Sequence, residues 1–154
     1  MEALKNLFIQ YKGSEPDSLE FIPRSVSTRQ YYRLKYGNYS CIGCYSPDTK
    51  ETIAFTEFAA KFRSHGIKVP EIYLISEDMH YYLQEDLGNE TLHELVLKKG
   101  SDDNHVRNLY FKSVEELVKL QFESHPDIDY SLCVPRSEFD RQSILWDLNH
   151  FKYY

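Results

Sequence analysis

The sequence predicts an α+β fold in which a five-stranded antiparallel sheet, with one helix against it, precedes a helical region. Two observations lead to this prediction. The first 90 residues contain five short aromatic and aliphatic segments bounded by turn residues, and one segment with helical spacing. From residue 91 onward, apolar residues recur at three- and four-residue intervals, which is typical of amphipathic helices. With 154 residues, a single domain is expected.

A helix is predicted at the start of the chain, over residues 2–12. Its apolar side chains have helical spacing: Leu4, Leu7, Phe8 and Tyr11. Residues 13–17 contain glycine and proline and indicate a linker. Residues 1–18 are therefore predicted as a helix and linker that precede the sheet.

The sheet is predicted to begin with a short strand over 19–22 that ends at Pro23. Two longer strands follow, over 30–36 and 39–45, and the first alternates polar and apolar side chains. The dipeptide Gly37-Asn38 separates them and tolerates positive φ angles. These two strands are therefore predicted to form a β-hairpin.

The most regular helix is predicted over residues 49–64 and ends before Gly66. One stripe of this helix combines an acid with apolar residues: Glu51, Phe55, Phe58, Ala59 and Phe62. Strands over 69–75 and from Tyr81 complete the sheet. Residues 19–90 are therefore predicted as one sheet unit.

The chain then turns at Gly88-Asn89, and Thr91 with Glu94 three residues later predicts a helix N-terminus. A long helix is predicted around 106–121 and a last one from Ser137. Aromatic side chains continue to the end of this last helix, which predicts that the helical unit 91–154 is truncated.

Composition excludes several classes of function. The net charge of −6 disfavours nonspecific binding to nucleic acid, which requires a basic surface. No window approaches 18 apolar residues, and the N-terminus lacks the features of a signal peptide, so neither a membrane span nor export is expected. Three cysteines form an odd number, which favours reduced thiols and a cytoplasmic protein.

Basic residues are concentrated before and within the predicted hairpin: Arg24, Arg29, Arg33 and Lys35. A local basic patch on an acidic chain suits a small anionic ligand, although a solvated hairpin face is the simpler interpretation of the pattern alone. For Glu51 two roles remain open, an ion pair or a favourable interaction with the helix dipole.

Three motifs occur in order along the chain: Ser-Val-Ser-Thr-Arg-Gln-Tyr-Tyr-Arg-Leu at 25–34, Lys-Val-Pro-Glu-Ile at 68–72 and Leu-Gln-Glu-Asp-Leu-Gly at 83–88. Together with the order of elements, they resemble the N-terminal lobe of the aminoglycoside phosphotransferase and choline kinase family. This family has a protein kinase-like fold. The sequence is most similar to its sugar-kinase branch, which includes N-acetylmuramate/N-acetylglucosamine kinase-like proteins.

The resemblance implies a site for ATP, with Mg²⁺ bridging its phosphates in the intact enzyme. The phosphates would lie under residues 23–29, where the Ser25, Ser27 and Thr28 hydroxyls and Arg29 would bind them. The resemblance also favours phosphate binding by Arg33, whereas Arg24 and Lys35 fit a solvated hairpin face better. The backbone groups of Glu85 and Leu87 would contact the adenine edge. The acceptor of the phosphoryl group would be a hydroxyl of a sugar or amino sugar.

The sequence departs from the kinase pattern in its cation. Kinases pair a lysine on the third strand with an acid on the first helix of the lobe, but residues 39–45 contain no lysine. Arg33 is the first candidate to replace it, Lys35 is the second, and Glu51 is the candidate acid.

The catalytic loop is also missing, since kinases require an aspartate and an asparagine there. His125-Pro126-Asp127 resembles the start of such a loop, but Leu132 occupies the position that requires asparagine. This chain is therefore expected to be inactive alone. The alternative function is a catalytically silent kinase-like binding module, and exposed aromatic residues of the last helix would then favour self-association.

Overall fold

A computed structural model describes residues 1–23, 28–122, 127–133 and 136–153. Five antiparallel strands form one sheet in the order β1-β2-β3-β5-β4: β1 (Ser18–Ile22), β2 (Gln30–Tyr36), β3 (Tyr39–Tyr45), β4 (Ile72–Ile75) and β5 (Tyr81–Glu85). The helices are α1 (Glu2–Lys12), α2 (Thr49–Ser64), α3 (Leu92–Lys99), α4 (Asn104–Phe122) and α5 (Arg141–Tyr153), and a 3-10 turn spans Tyr130–Leu132. The α+β class and the five-stranded antiparallel sheet are confirmed.

The hairpin of β2 and β3 forms as predicted. Its strands pair from Gln30 opposite Tyr45 to Tyr36 opposite Tyr39, so Gly37 and Asn38 form a two-residue loop. The prediction for β4 was too long, because this strand begins only at Ile72. The residues before it include a proline, which cannot donate a ladder hydrogen bond.

Helix α1 packs against the sheet and shares its main core. The buried side chains of this core come from α1, β2, β3 and β5: Leu4, Leu7, Phe8, Leu34, Cys41 and Leu83. The prediction of a single helix against the sheet was therefore incomplete. The apolar face of α1 removes its surface from water by covering the sheet.

Gly43 allows this close packing of α1 on β3. A Cβ atom at Gly43 would lie 2.8 Å from Leu34 Cδ1 and 3.0 Å from Leu4 Cδ2. Any larger residue would therefore displace side chains of the core.

Helix α2 lies on the opposite face of the sheet. The rings of Phe55 and Tyr82 are 5.3 Å apart, and Tyr82 points away from the face that carries its neighbour Leu83. The bounds of α2 match the prediction, and the Asp48 side chain accepts a hydrogen bond from Lys50 N–H at its start. The predicted phenylalanine stripe is only half-buried, since the buried residues of α2 are smaller: Thr52, Ala54, Thr56 and Ala59.

The described part of the helical region buries few apolar side chains. Helix α3 begins with the predicted capping box of Thr91 and Glu94. Helix α5 begins at Arg141, later than predicted, and the Asp140 side chain accepts a hydrogen bond from Ser143 N–H at its start. Large apolar side chains of α4 and α5 are exposed, among them Phe111, Phe122, Trp146 and Phe151. Among the described residues, no helix combines the length and apolar character that crossing a membrane requires.

Candidate functional site

A cleft of about 430 Å³ opens on the face of the sheet that also carries α2. Residues 86–91, which we call the connector, leave β5 and form one side of this cleft. Side chains of the strands form the other side: Ile22, Tyr31, Arg33, Ile42 and Gln84. Strand register explains why they meet, because cross-strand partners such as Arg33 and Ile42 point to the same face.

Asp86 joins the connector to the sheet. Arg33 donates two parallel hydrogen bonds to its carboxylate, from Nε to Oδ2 at 2.7 Å and from Nη2 to Oδ1 at 3.0 Å. Ser40 Oγ donates to Oδ2 at 2.8 Å, and Gly88 N–H donates to Oδ1 at 3.0 Å. This charge-assisted network therefore binds the connector to both β2 and β3.

The Arg33–Asp86 pair is almost removed from water, since the two side chains are 15% and 8% exposed. Burial opposes ionisation of Asp86, but the hydrogen bonds from Arg33, Ser40 and Gly88 outweigh it and lower the pKa of this carboxyl. The same hydrogen bond raises the pKa of Arg33 despite burial. Both groups are therefore charged at neutral pH, and the pair is neutral as a whole.

Leu87 lies in the connector between two anchored residues. Gly88 adopts a φ of 87°, which suits glycine and lets the chain turn back toward Arg33. Within the part of the chain that the structure describes, Leu87 N–H and C=O form no hydrogen bond. Leu87 is 68% exposed and lines the cleft, so its open backbone groups are accessible to a ligand.

One of the two backbone groups of Glu85 is already used within the sheet. Its N–H donates to Glu71 C=O at 2.8 Å and so belongs to the edge of the sheet. Glu71 N–H donates to the Glu85 carboxylate at 3.2 Å rather than to the Glu85 carbonyl. The Glu85 N–H is therefore occupied, and the carbonyl is the backbone group of Glu85 that remains a candidate for contact with a ligand.

Glu51 pairs with Arg29, so the expectation that Arg33 pairs with Glu51 is wrong. Arg29 Nε lies 3.1 Å from Glu51 Oε2, and its guanidinium lies 5.4 Å from the centre of the Phe55 ring. Arg29 immediately precedes β2 and reaches the first turn of α2. Arg33, farther along β2, instead reaches across β3 to Asp86.

The remaining predicted residues have different positions. Lys35, the second candidate cation, pairs with exposed Glu20 at 2.8 Å. Thr28 is exposed at the end of the segment that was expected to cover phosphates. Ser25 and Ser27 lie outside the described residues, as does Arg24. Arg33 and Leu87 line the cleft together with Glu85, whereas Arg29 and Glu51 line a neighbouring depression beside α2.

Sequence reasoning missed Asp86 and Ser40. Alternation along β5 places Asp86 on the same face as Tyr82 and Gln84. This pattern could have indicated from the sequence that Asp86 faces the cleft. Its partner depends on the order β2-β3-β5, which alternation alone does not give. The sequence suggested no role for the acidic side chain of Asp86, and its hydrogen bonds now give it one.

Comparison with known proteins relates the chain to a sugar kinase. Over 151 residues, or 96% of the chain, it is 26% identical to an N-acetylmuramate/N-acetylglucosamine kinase from Neisseria meningitidis serogroup B. The chain spans 42% of the length of that relative. No protein-family model matches the chain. The similarity is thus distant and covers both the sheet and the helices.

Proposed function

We propose that this chain is the ATP-binding part of a small-molecule phosphotransferase whose acceptor is a hydroxyl of a sugar or amino sugar. The cleft beside the connector carries this proposal, because it combines apolar walls from Ile22 and Ile42 with open backbone groups at Leu87. A planar base would lie against these side chains and bond to the connector. The similarity to a sugar kinase supports both ATP and the acceptor class.

In this proposal the base contacts Glu85 C=O and Leu87 N–H, and the phosphates extend toward the segment between Pro23 and Arg29. The hydroxyls of Ser25, Ser27 and Thr28, together with the Arg29 guanidinium, would bind phosphate oxygens. Glu51 would hold Arg29 in place through their ion pair. Arg29 and Glu51 thereby replace the lysine and acid that kinases use.

Among the described residues there is no preformed cluster of side chains for the Mg²⁺ that would accompany ATP. No group of three His, Cys, Asp or Glu side chains in this part of the chain is arranged to hold a metal ion. The carboxylate of Asp86, in the cleft, is already bonded to Arg33 and Ser40. The proposal therefore assigns nucleotide binding to these residues and no metal-dependent step.

Turnover is likewise not assigned to these 154 residues. Asp127, the one candidate for a catalytic aspartate, lies 2.7 Å from His65 Nε2 at the end of α2. Leu132 occupies the position where the kinase loop requires asparagine. We therefore expect binding of ATP without phosphoryl transfer by this chain.

Isothermal titration calorimetry with ATP and ADP tests nucleotide binding, with one pair of variants at Leu87. Leu87→Pro removes the N–H donor, and Leu87→Ala keeps it while removing only an exposed side chain. We expect wild type and Leu87→Ala to bind ATP equally and Leu87→Pro to bind about tenfold more weakly. Absence of ATP and ADP binding by the wild type would reject the proposal.

The acceptor class is tested on the full-length gene product. ADP release would be measured with ATP and either N-acetylglucosamine, N-acetylmuramate or a small alcohol that lacks the sugar ring. We expect release only with the amino sugars or related sugars. Release that is equal with the simple alcohol would contradict the acceptor class and leave nucleotide binding intact.

A second candidate function is a catalytically silent module that binds another protein or a second copy of itself. The exposed apolar side chains of α4 and α5 favour it, including Phe111, Trp146 and Phe151. Light scattering after size-exclusion chromatography separates the candidates. Self-association that is lost in Trp146→Glu, without any binding of nucleotide, would favour the module.

A further inference from the structure

We propose that the Arg33–Asp86 pair holds the connector in the conformation that receives the nucleotide base, so that Arg33 is a positioning residue and not a phosphate ligand. This inference rests on the nucleotide site proposed above. It assigns different roles to the two arginines, with Arg33 acting on the base through the connector and Arg29 remaining near the phosphates.

The hydrogen bonds of Asp86 come from three separate parts of the molecule. Arg33 belongs to β2, Ser40 belongs to β3, and Gly88 lies in the connector itself. Together with the second bond from Arg33, the Asp86 carboxylate receives four hydrogen bonds. Arg33 and Asp86 are 53 residues apart in sequence, and their pairing fixes the connector, which leaves β5, relative to β2, two strands away in the sheet.

These hydrogen bonds restrict the backbone of Leu87. Asp86 and Gly88 bond to each other across Leu87, and Arg33 Nη2 also lies 3.4 Å from Gly88 C=O. The backbone of Leu87 is therefore held on both sides while its own N–H and C=O remain open among the described residues. A donor and an acceptor that are fixed before binding lose less conformational entropy when a ligand arrives.

The same geometry argues against contact between Arg33 and phosphate. Turning the guanidinium toward a phosphate would leave the Asp86 carboxylate, which is 8% exposed, without its cation. Leaving a buried charge without its partner is strongly unfavourable. The Asp86 carboxylate would also repel a phosphate placed beside it.

Two ligands distinguish the roles, because adenosine carries the base without phosphates and ATP carries both. Affinities of wild type, Arg33→Met and Asp86→Asn for each ligand would be measured by calorimetry, with a thermal melt to confirm folding. We expect each variant to bind adenosine and ATP more weakly than wild type, by a similar factor of about ten for both ligands. The ratio of the two affinities should therefore not change, and the double variant should be no weaker than either single variant.

Two results would overturn the inference. If Arg33 binds phosphate, Arg33→Met should lower the affinity for ATP and leave the affinity for adenosine unchanged. If Asp86 only withholds Arg33 from phosphate, Asp86→Asn strengthens the binding of ATP. Ser40→Ala, which removes one bond to Asp86, provides a milder variant that we expect to fold and to weaken both ligands about twofold to threefold.

Lys35→Met is the matched control, because Lys35 points to the same face of β2 as Arg33 but pairs with exposed Glu20. We expect it to change neither affinity. If the wild type binds neither ligand, the proposed function fails and this inference fails with it. If the wild type binds both and the variants at Arg33, Ser40 and Asp86 bind like it, only the inference fails.

Discussion

The sheet region, residues 1–85, and the helical region, residues 92–153, bury very different amounts of apolar surface. Among the described residues, all buried apolar side chains except Leu95 and Val106 belong to the sheet region. In the helical region, large side chains such as Phe122 and Trp146 are each 74% exposed. The sheet region is therefore held by its core, whereas the helices depend more on local hydrogen bonds.

The ion pairs show the same contrast. The Arg33–Asp86 pair, which joins the sheet region to the connector, is nearly buried and has further hydrogen bonds from Ser40 and Gly88. The Lys98–Glu90 pair at α3 is 3.1 Å long and largely exposed. Buried, multiply bonded charges are costly to break, and exposed pairs contribute little. The candidate site thus lies beside the ion pair that is the more costly of the two to break.

The largest expected difference comes from one substitution made in both regions. Phe8 of α1 is fully buried in the core, and Phe122 of α4 is 74% exposed. Phe8→Ala should lower the free energy of unfolding by about 4 kcal/mol, because it leaves a cavity. Phe122→Ala should change it by less than about 0.5 kcal/mol. Urea unfolding followed by circular dichroism would measure both, and equal losses would contradict the contrast.

A smaller difference is expected for the two ion pairs. Asp86→Asn leaves Arg33 buried without a counter-charge and should cost about 3 kcal/mol of unfolding free energy. Glu90→Gln removes one member of the exposed pair with Lys98 and should cost no more than about 0.5 kcal/mol. The same urea experiment gives both values. A loss below about 1 kcal/mol for Asp86→Asn would show that the network holds the connector only weakly.

The pH dependence of stability should follow from Asp86. Hydrogen bonds lower its pKa in the folded state below the ordinary value near 4, against the effect of burial. Its contribution is therefore complete above about pH 4 and is lost as the pH falls through the folded pKa. Urea midpoints measured between about pH 2.5 and pH 6 should fall more steeply on acidification for wild type than for Asp86→Asn. Parallel curves would assign the acid sensitivity to other carboxyls.

The sequence was sufficient to predict features that depend on neighbouring residues. The turn at Gly37 and Asn38, the bounds of α2 and the capping box at Thr91 each involve residues within a few positions of one another. Their hydrogen bonds form within the element or the turn itself, so local patterns are enough to indicate them.

Features that depend on strand order were not predictable in the same way. Alternation placed Arg33 on one face of β2, but its partner Asp86 lies two strands away and 53 residues later. The helical stripe of α2 identified Glu51, yet the cation that meets it depends on where α2 begins relative to β2. The packing of α1 on the sheet likewise required the positions of β3 and β5, to which its core side chains are fitted.

The smallest expected effect concerns the start of α3. Thr91 Oγ1 accepts a hydrogen bond from Glu94 N–H at 3.2 Å, and the Glu94 carboxylate accepts one from Thr91 N–H at 2.8 Å. Thr91→Ala removes the first bond, which stabilises a helix by about 1 kcal/mol, whereas Thr91→Ser keeps it. Because α3 buries only Leu95, the loss should appear as local opening of this helix and not as unfolding of the sheet.

Amide hydrogen exchange distinguishes these outcomes. In Thr91→Ala, the amides of α3 should exchange about fivefold faster, while those of β3 and β5 keep the wild-type rate. Thr91→Ser should match the wild type throughout. If the sheet amides accelerated together with α3, the two regions would open as one unit. The conformation of the connector would then depend on the helices as well as on Arg33 and Asp86.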